Sequence, residues 1–413
     1  MNALRRPDGG HRVVVTGMGA VHGFGLGVDA LWRGVAGNDC AITPTTLSWE
    51  DLQLTVPAAR IPGYRATDHF SGQQCVLLDP FSQYAVLAAR EAVAHSGLSD
   101  DPQSWRDTAV IFGNGGGGEI TREDSGGYLF RRRSGRVHPL TVPRTNHQAV
   151  ASHIAAEFGA KGPAYVISTG CASGSHALGQ AAWLIRSGIV SRVISGGCEA
   201  NIIYSVACAF SACRVITQDT CRPFSRDRSG FAFGEGSGVM ILESLESATT
   251  RGARIHGEIL GVGMSIDPID QVQPSLEGPT LCLQRALAEA GRQTTDVQYI
   301  SAHGTGTVLN DKIESQAVRG LFGAHADRIA LSSSKSQLGH SFGASGALEA
   351  IICLQALEHQ RLPPTVNWTA ADPECDIDPV ANESRSAALN CVISQSFGFG
   401  GVNAALVLAA PVT

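Results

Sequence analysis

The chain has 413 residues, 43% of them hydrophobic and 16% charged, with a formal net charge of −6. That length holds roughly two or three average domains or one large layered unit, and the composition supports an extensive core. The acidic balance argues against a nucleic-acid binder, no apolar run reaches the roughly 18 residues of a membrane span, and the polar residues 1–11 lead into no apolar segment of a secretory signal. Eleven cysteines without a CxxC pair fit a reducing cytoplasm better than a disulfide framework. The 13 histidines show no HExxH or CxxC…H spacing, so no metal centre is expected.

In chain order, Val13, Val14 and Val15 open a strand that is expected to end in a glycine turn at Gly17 and Gly19. The spacing is not GxGxxG, and no ribose-binding acid follows at the usual distance, which sets a dinucleotide site aside. Helices are expected over 29–36 and 81–96, a strand over 108–112 and a glycine cluster over 115–118. Arg131, Arg132, Arg133 and Arg136 form the densest basic run, which on its own is an ordinary solvated face. Residues 164–168 read as a short buried strand, and 175–186 as a helix with Ala177, Leu178, Ala181, Ala182, Leu184 and Ile185 on its apolar surface. Small residues crowd the junction around Cys171. A thiol there feels the positive end of the helix dipole, which lowers its pKa and suits a nucleophile. For a cysteine taken alone, burial as a small apolar residue is the commoner role. Its partners decide.

An internal echo points to where they are. Residues 170–174 and 339–343 each open a long helix, and each helix is followed by a Val-Ile-Ser strand, at 193–195 and 392–394. The second unit begins near 255, giving halves 1–254 and 255–413 with a site at their junction. In the second half, a strand ends at Ala302 and projects His303 ahead of Gly-Thr-Gly-Thr, where the hydroxyls of Thr305 and Thr307 can grip a polar ligand. Lys335 and His340 precede an apolar helix over 346–357, and residues 396–403 form a glycine-rich turn with Phe399 at its tip.

Together these stretches resemble the β-ketoacyl-acyl-carrier-protein synthases, condensing enzymes of the thiolase fold. Residues 222–231 with Gly234, Glu235 and Gly236 are similar to the family's central motif, and the resemblance runs from about 13 to 408. It implies an α/β fold of two related βαβαβαββ halves in five α-β-α-β-α layers. It also implies decarboxylative condensation of an acyl group on Cys171 with malonyl-acyl-carrier protein, with His303 and His340 as neutral hydrogen-bond donors. Lys335 would hold His340 and a neighbouring carboxylate. Glu314 matches the carboxylate that pairs with this lysine, and Asp311 a second acid. The backbone N–H groups of Cys171 and Phe399 would form an oxyanion hole, with Phe399 also the gate of the acyl pocket. Thr305 and Thr307 would bind pantetheine. Arg214, with Arg131 and Arg132 as helpers, would receive the acidic carrier protein at a locally basic mouth. No bound cofactor is implied, since the substrates ride on phosphopantetheine. The family pairs as dimers, with an identical chain or a homologous chain-length-factor-like subunit. Two segments depart from the housekeeping pattern of fatty-acid elongation, 21–25 and 270–273, and favour a polyketide or polyene pathway. A silent partner subunit would lack the cysteine, and a coenzyme A thiolase would carry a second cysteine where Phe399 stands.

Overall fold

The computed structural model describes residues 4–98, 105–132, 135–270 and 273–411, with the side chains of Arg131 and Arg132 outside that description. The first half supplies strands β1 (Val13–His22), β2 (Ala109–Gly113), β3 (Ala164–Ile167), β4 (Arg192–Glu199) and β5 (Gly236–Ser244). The second supplies β6 (Gly257–Ile266), β7 (Tyr299–Ser301), β8 (Ala330–Ser332), β9 (Cys391–Gly398) and β10 (Val402–Ala409). Within each half the strand order is the same, β3-β2-β4-β5-β1 and β8-β7-β9-β10-β6. The directions also repeat, with parallel pairs among the first three strands of each order and antiparallel pairs thereafter. A short antiparallel contact of β1 with β6, at Val13–Ile259, Val14–Glu258 and Val15–Gly257, joins the two sheets.

Helices complete the layers. On the outer face of the first sheet lie α1 (Pro80–Ser96) and α2 (Ala149–Phe158). Between the sheets lie α3 (Ser173–Arg186) and α7 (Ser345–His359), while α5 (Glu277–Ala290) and α6 (Val308–Phe322) cover the second sheet. A smaller helix, α4 (Tyr204–Ala212), borders the site. The result is the five-layered thiolase fold, with one apolar core between the sheets and one under each outer layer.

Two local expectations need correction. The chain does not turn at Gly17 and Gly19; β1 runs on to His22 with a bulge between Val15 and Gly17. A Cβ at Gly19 would stand 1.9 Å from the Ala88 carbonyl oxygen, and one at Gly17 2.1 Å from that of Ala92. These glycines therefore let α1 lie directly on the strand. The segment 164–168 is a strand but not a buried one, because β3 is the edge of its sheet and pairs only with β2 among the described residues.

The echo has a structural counterpart. Each central helix follows a single 3₁₀ turn, Gly170–Ala172 before α3 and Phe342–Ala344 before α7. The helices meet closely at these ends, where a Cβ on Gly174 would be 2.9 Å from the Gly343 carbonyl oxygen and one on Gly346 2.1 Å from Ser175 Oγ. This seam brings the two helix starts, with Cys171 and His340, to one place.

Candidate active site

Cys171 sits in the 3₁₀ turn ahead of α3, 8% exposed, and its Sγ lies 3.1 Å from His340 Nε2. Sulfur and one ring nitrogen each from His303 and His340 lie within 4.8 Å of one another, all three residues buried. The imidazoles stand edge to face with centroids 5.3 Å apart.

Their tautomers follow from what faces the other nitrogen. His340 Nδ1 accepts from the backbone N–H of Phe342 at 3.2 Å and lies 3.0 Å from the Oγ of Ser345, the first residue of α7. Its proton is thereby placed on Nε2, toward the sulfur. His303 Nδ1 lies 3.5 Å from Lys335 Nζ, an obligate donor, so its Nε2 likewise carries the proton. Burial, with the Lys335 charge adding to it, holds both imidazoles well below the usual histidine pKa, and they are neutral near pH 7.

The lysine is arranged differently from the sequence expectation. Lys335 pairs with Glu349 on α7, not with Glu314, and it reaches His303 rather than His340. The reason is helical spacing. Ser345 and Glu349 are four residues apart on α7, so one face of that helix serves His340 and Lys335 together. Glu314 instead grips the His303 loop, accepting from the N–H groups of His303 at 2.6 Å and Gly304 at 2.7 Å, and from Gln395 at 2.6 Å. Burial raises its carboxyl to about 7. Asp311, raised to about 6 for the same reason, pins the next turn through the N–H groups of Gly306 and Phe224.

The thiol also departs from expectation. Burial pushes Cys171 up to about 12, outweighing the Lys335 charge and the N–H groups of Cys171 and Phe399 that face the sulfur. Those two amides converge where an oxyanion hole is expected. Phe399 itself is 45% exposed at the tip of the β9–β10 hairpin, where Gly400 and Gly401 take positive φ, and its ring stacks at 6.3 Å from Phe210 on α4.

A cavity runs from Cys171, His303 and His340 past Thr305 and Thr307, whose hydroxyls lie 2.9 Å apart, to Leu309, Asn310 and Asp270. Among the described residues that line it there is no arginine or lysine. The basic mouth expected from sequence is thus not in the lining, which carries Asp267 and Asp270 instead. Asp267 holds the β9–β10 hairpin, its N–H donating to Gly401 O at 2.8 Å and its carboxylate accepting from Ser275 N at 2.6 Å. Arg214 is exposed beside Val215, a lining residue, just beyond α4. Arg131 and Arg132 end the helix Glu119–Arg132, and Arg133 lies outside the described residues.

Sequence reasoning missed three residues. Glu349 and Ser345 lay in and next to a helix read simply as apolar; a lone acid in such a run was the available signal. Glu199, at the end of β4, is fully buried and accepts from three backbone amides on both sides of the site. No helix among the described residues is long and apolar enough to cross a membrane.

Comparison with known proteins identifies the family. The family profile "Beta-ketoacyl synthase, N-terminal domain" matches residues 10–248, and "Beta-ketoacyl synthase, C-terminal domain" matches 256–369. The chain is 39% identical over 396 residues to nodulation protein E of Rhizobium sp. (strain N33), covering 96% of this chain and 98% of that one. It is 37% identical over 407 residues to 3-oxoacyl-[acyl-carrier-protein] synthase 2 of Staphylococcus aureus (strain COL), covering 96% and 97%. Among solved structures, the ishigamide ketosynthase/chain length factor superposes with a TM-score of 0.91 at 34% identity, covering 98% of this chain and 100% of that one. A β-ketoacyl synthase from Burkholderia phymatum STM815 gives 0.88 at 29%, covering 97% and 100%. The chain belongs to the β-ketoacyl synthase family.

Proposed function

We propose that this protein joins an acyl group held on Cys171 to malonyl-acyl-carrier protein, releasing CO2 and forming 3-oxoacyl-acyl-carrier protein. The observation that carries it is the convergence of one sulfur and two neutral imidazoles, each with its Nε2–H directed into a common cavity. In the first step Cys171 Sγ attacks the acyl thioester. The carbonyl oxygen is received by the N–H groups of Cys171 and Phe399, and the thiol proton leaves with the pantetheine sulfur. In the second, the malonyl thioester oxygen takes hydrogen bonds from His303 and His340 as CO2 departs. The resulting enolate carbon attacks the acyl carbonyl, and Cys171 leaves as the thiolate and regains a proton.

Lys335, anchored by Glu349, fixes the His303 ring, and Glu314 fixes its backbone. Thr305 and Thr307 line the route of the pantetheine arm, and Arg214, with Arg131 and Arg132, receives the carrier protein. The reaction draws its driving force from CO2 release and thioester cleavage, so the arm of the carrier is the only prosthetic group it requires. A partner chain, identical or homologous and chain-length-factor-like, would pair along the free edge of β3. A known ketosynthase/chain length factor of the same fold supports the second form. Eleven free thiols fit a cytoplasmic location. The departures at 21–25 and 270–273 favour a polyketide or polyene pathway over housekeeping fatty-acid elongation.

Intact-mass measurement after incubation with acyl-carrier protein tests the proposal. The wild type gains one acyl group and Cys171→Ala gains none. An unmodified wild type would identify a silent subunit instead. Product analysis with and without a candidate second chain decides the pathway.

A further inference from the structure

Glu199 closes β4 with its carboxylate enclosed by three peptide N–H groups. Oε2 accepts from Gly115 at 2.8 Å and Gly343 at 3.0 Å, and Oε1 from Gly116 at 3.0 Å. Gly115 and Gly116 belong to the first half, in the loop after β2; Gly343 belongs to the second, in the turn that follows His340. Both sides lead directly to the reacting groups. The Gly115 carbonyl accepts from Ser168 Oγ and the Asn114 carbonyl from Ser173 Oγ, each at 3.3 Å, bracketing the Cys171 turn. Gly343 follows Phe342, whose φ is +42°, whose N–H fixes the His340 tautomer and whose ring stacks on that imidazole at 4.6 Å. A non-glycine residue with that φ is held only where its surroundings over-determine it.

We propose that Glu199 is a positioning residue that sets His340 against Cys171 across the boundary between the two halves. The inference rests on the reading of Cys171 as the acyl acceptor. Two properties follow from a carboxylate at this point, mostly ionised above pH 7. It clamps both turns at once, and it opposes ionisation of Cys171, whose thiol it helps to raise. Charged and titratable groups facing this region are Glu119 from the helix Glu119–Arg132, Cys198 on β4, Cys171 from its turn and Lys335 from the opposite half. Burial raises Glu199 itself to about 7, against the pull of the three amides.

Glu199→Gln and Glu199→Asp separate clamp from charge. Gln removes the charge and turns an NH2 toward donor amides; Asp keeps the charge and loses the reach. Both variants should lower kcat for condensation about 100-fold, the usual cost of misplacing a reacting group by about 1 Å, while KM for the acyl donor stays within about twofold. Glu199→Gln should also be alkylated at Cys171 by iodoacetamide about threefold faster at fixed pH 8, and Glu199→Asp at the wild-type rate. If Gln does not fold, a 100-fold loss in folded Asp with unchanged alkylation carries the test. Folded variants with kcat within threefold of wild type, or an equal alkylation rise in both, would overturn the inference. A wild type that never acylates would instead sink the functional reading.

Discussion

Replacing Glu349 by Gln isolates the ion pair beneath the site. Lys335 and Glu349 are 1% and 3% exposed at their side chains, so removing one partner leaves an ammonium in the interior without its counter-charge. For a buried pair that cost is about 3–5 kcal/mol. The unfolding entropy expected for 413 residues is about 0.9 kcal/mol per kelvin, so Tm should fall by about 3–6 °C. Replacing both partners, as Lys335→Met with Glu349→Leu, should recover most of this, because the apolar pair carries no desolvation cost. Activity should not recover with it. The lysine ammonium places the proton of His303 on Nε2; once Nζ is free to leave Nδ1, that orientation is lost. Decarboxylation of malonyl-carrier protein should therefore drop in the single and the double variant, while acylation of Cys171, which draws on the Cys171 and Phe399 N–H groups, persists. Calorimetry supplies the stabilities, and CO2 release with intact mass separates the half-reactions. A single variant losing under 1 kcal/mol, or a double variant that decarboxylates normally, would refute this account of Lys335.

Cys171 alkylation should keep rising with pH. Its folded pKa is raised to about 12, so the thiolate forms only in alkali, and the rate should climb tenfold per unit through pH 9–10 where a model thiol levels off. A plateau near pH 8 would contradict this. Glu314→Gln should turn an amide toward the N–H groups of His303 and Gly304, costing about 1–3 kcal/mol in denaturant titrations and slowing decarboxylation more than acylation. Gly19→Ala would drive a Cβ into the backbone of α1 and should lower stability by about 1–3 kcal/mol without changing KM.

Much of the site was legible because its residues sit in short, glycine-flanked stretches that fold locally: Cys171 ahead of a helix, His303 at a strand end, His340 ahead of the matching helix. What was not legible depends on distance across the fold. The partner of Lys335 is set by which face of α7 meets the 335–340 turn, and no spacing in the chain distinguishes Glu349 from Glu314. The thiol was expected to be acidic from its helix terminus, a local effect, whereas the removal of water by two halves of the molecule decides it. Gly17 and Gly19 look like a turn in isolation; only the helix resting on them explains why they continue a strand. Glu199 had no motif at all, since its partners are backbone amides some 80 and 140 residues away.

The seam between α3 and α7 has an evolutionary corollary. Where two helices touch main chain to main chain, the separation of nucleophile and imidazole is metered by peptide thickness, a dimension no mutation can trim. Drift in the pocket walls can then alter which acyl chains are welcome while the reacting atoms keep their appointment. Diversification of product under an unchanging chemical step is what such an arrangement makes accessible.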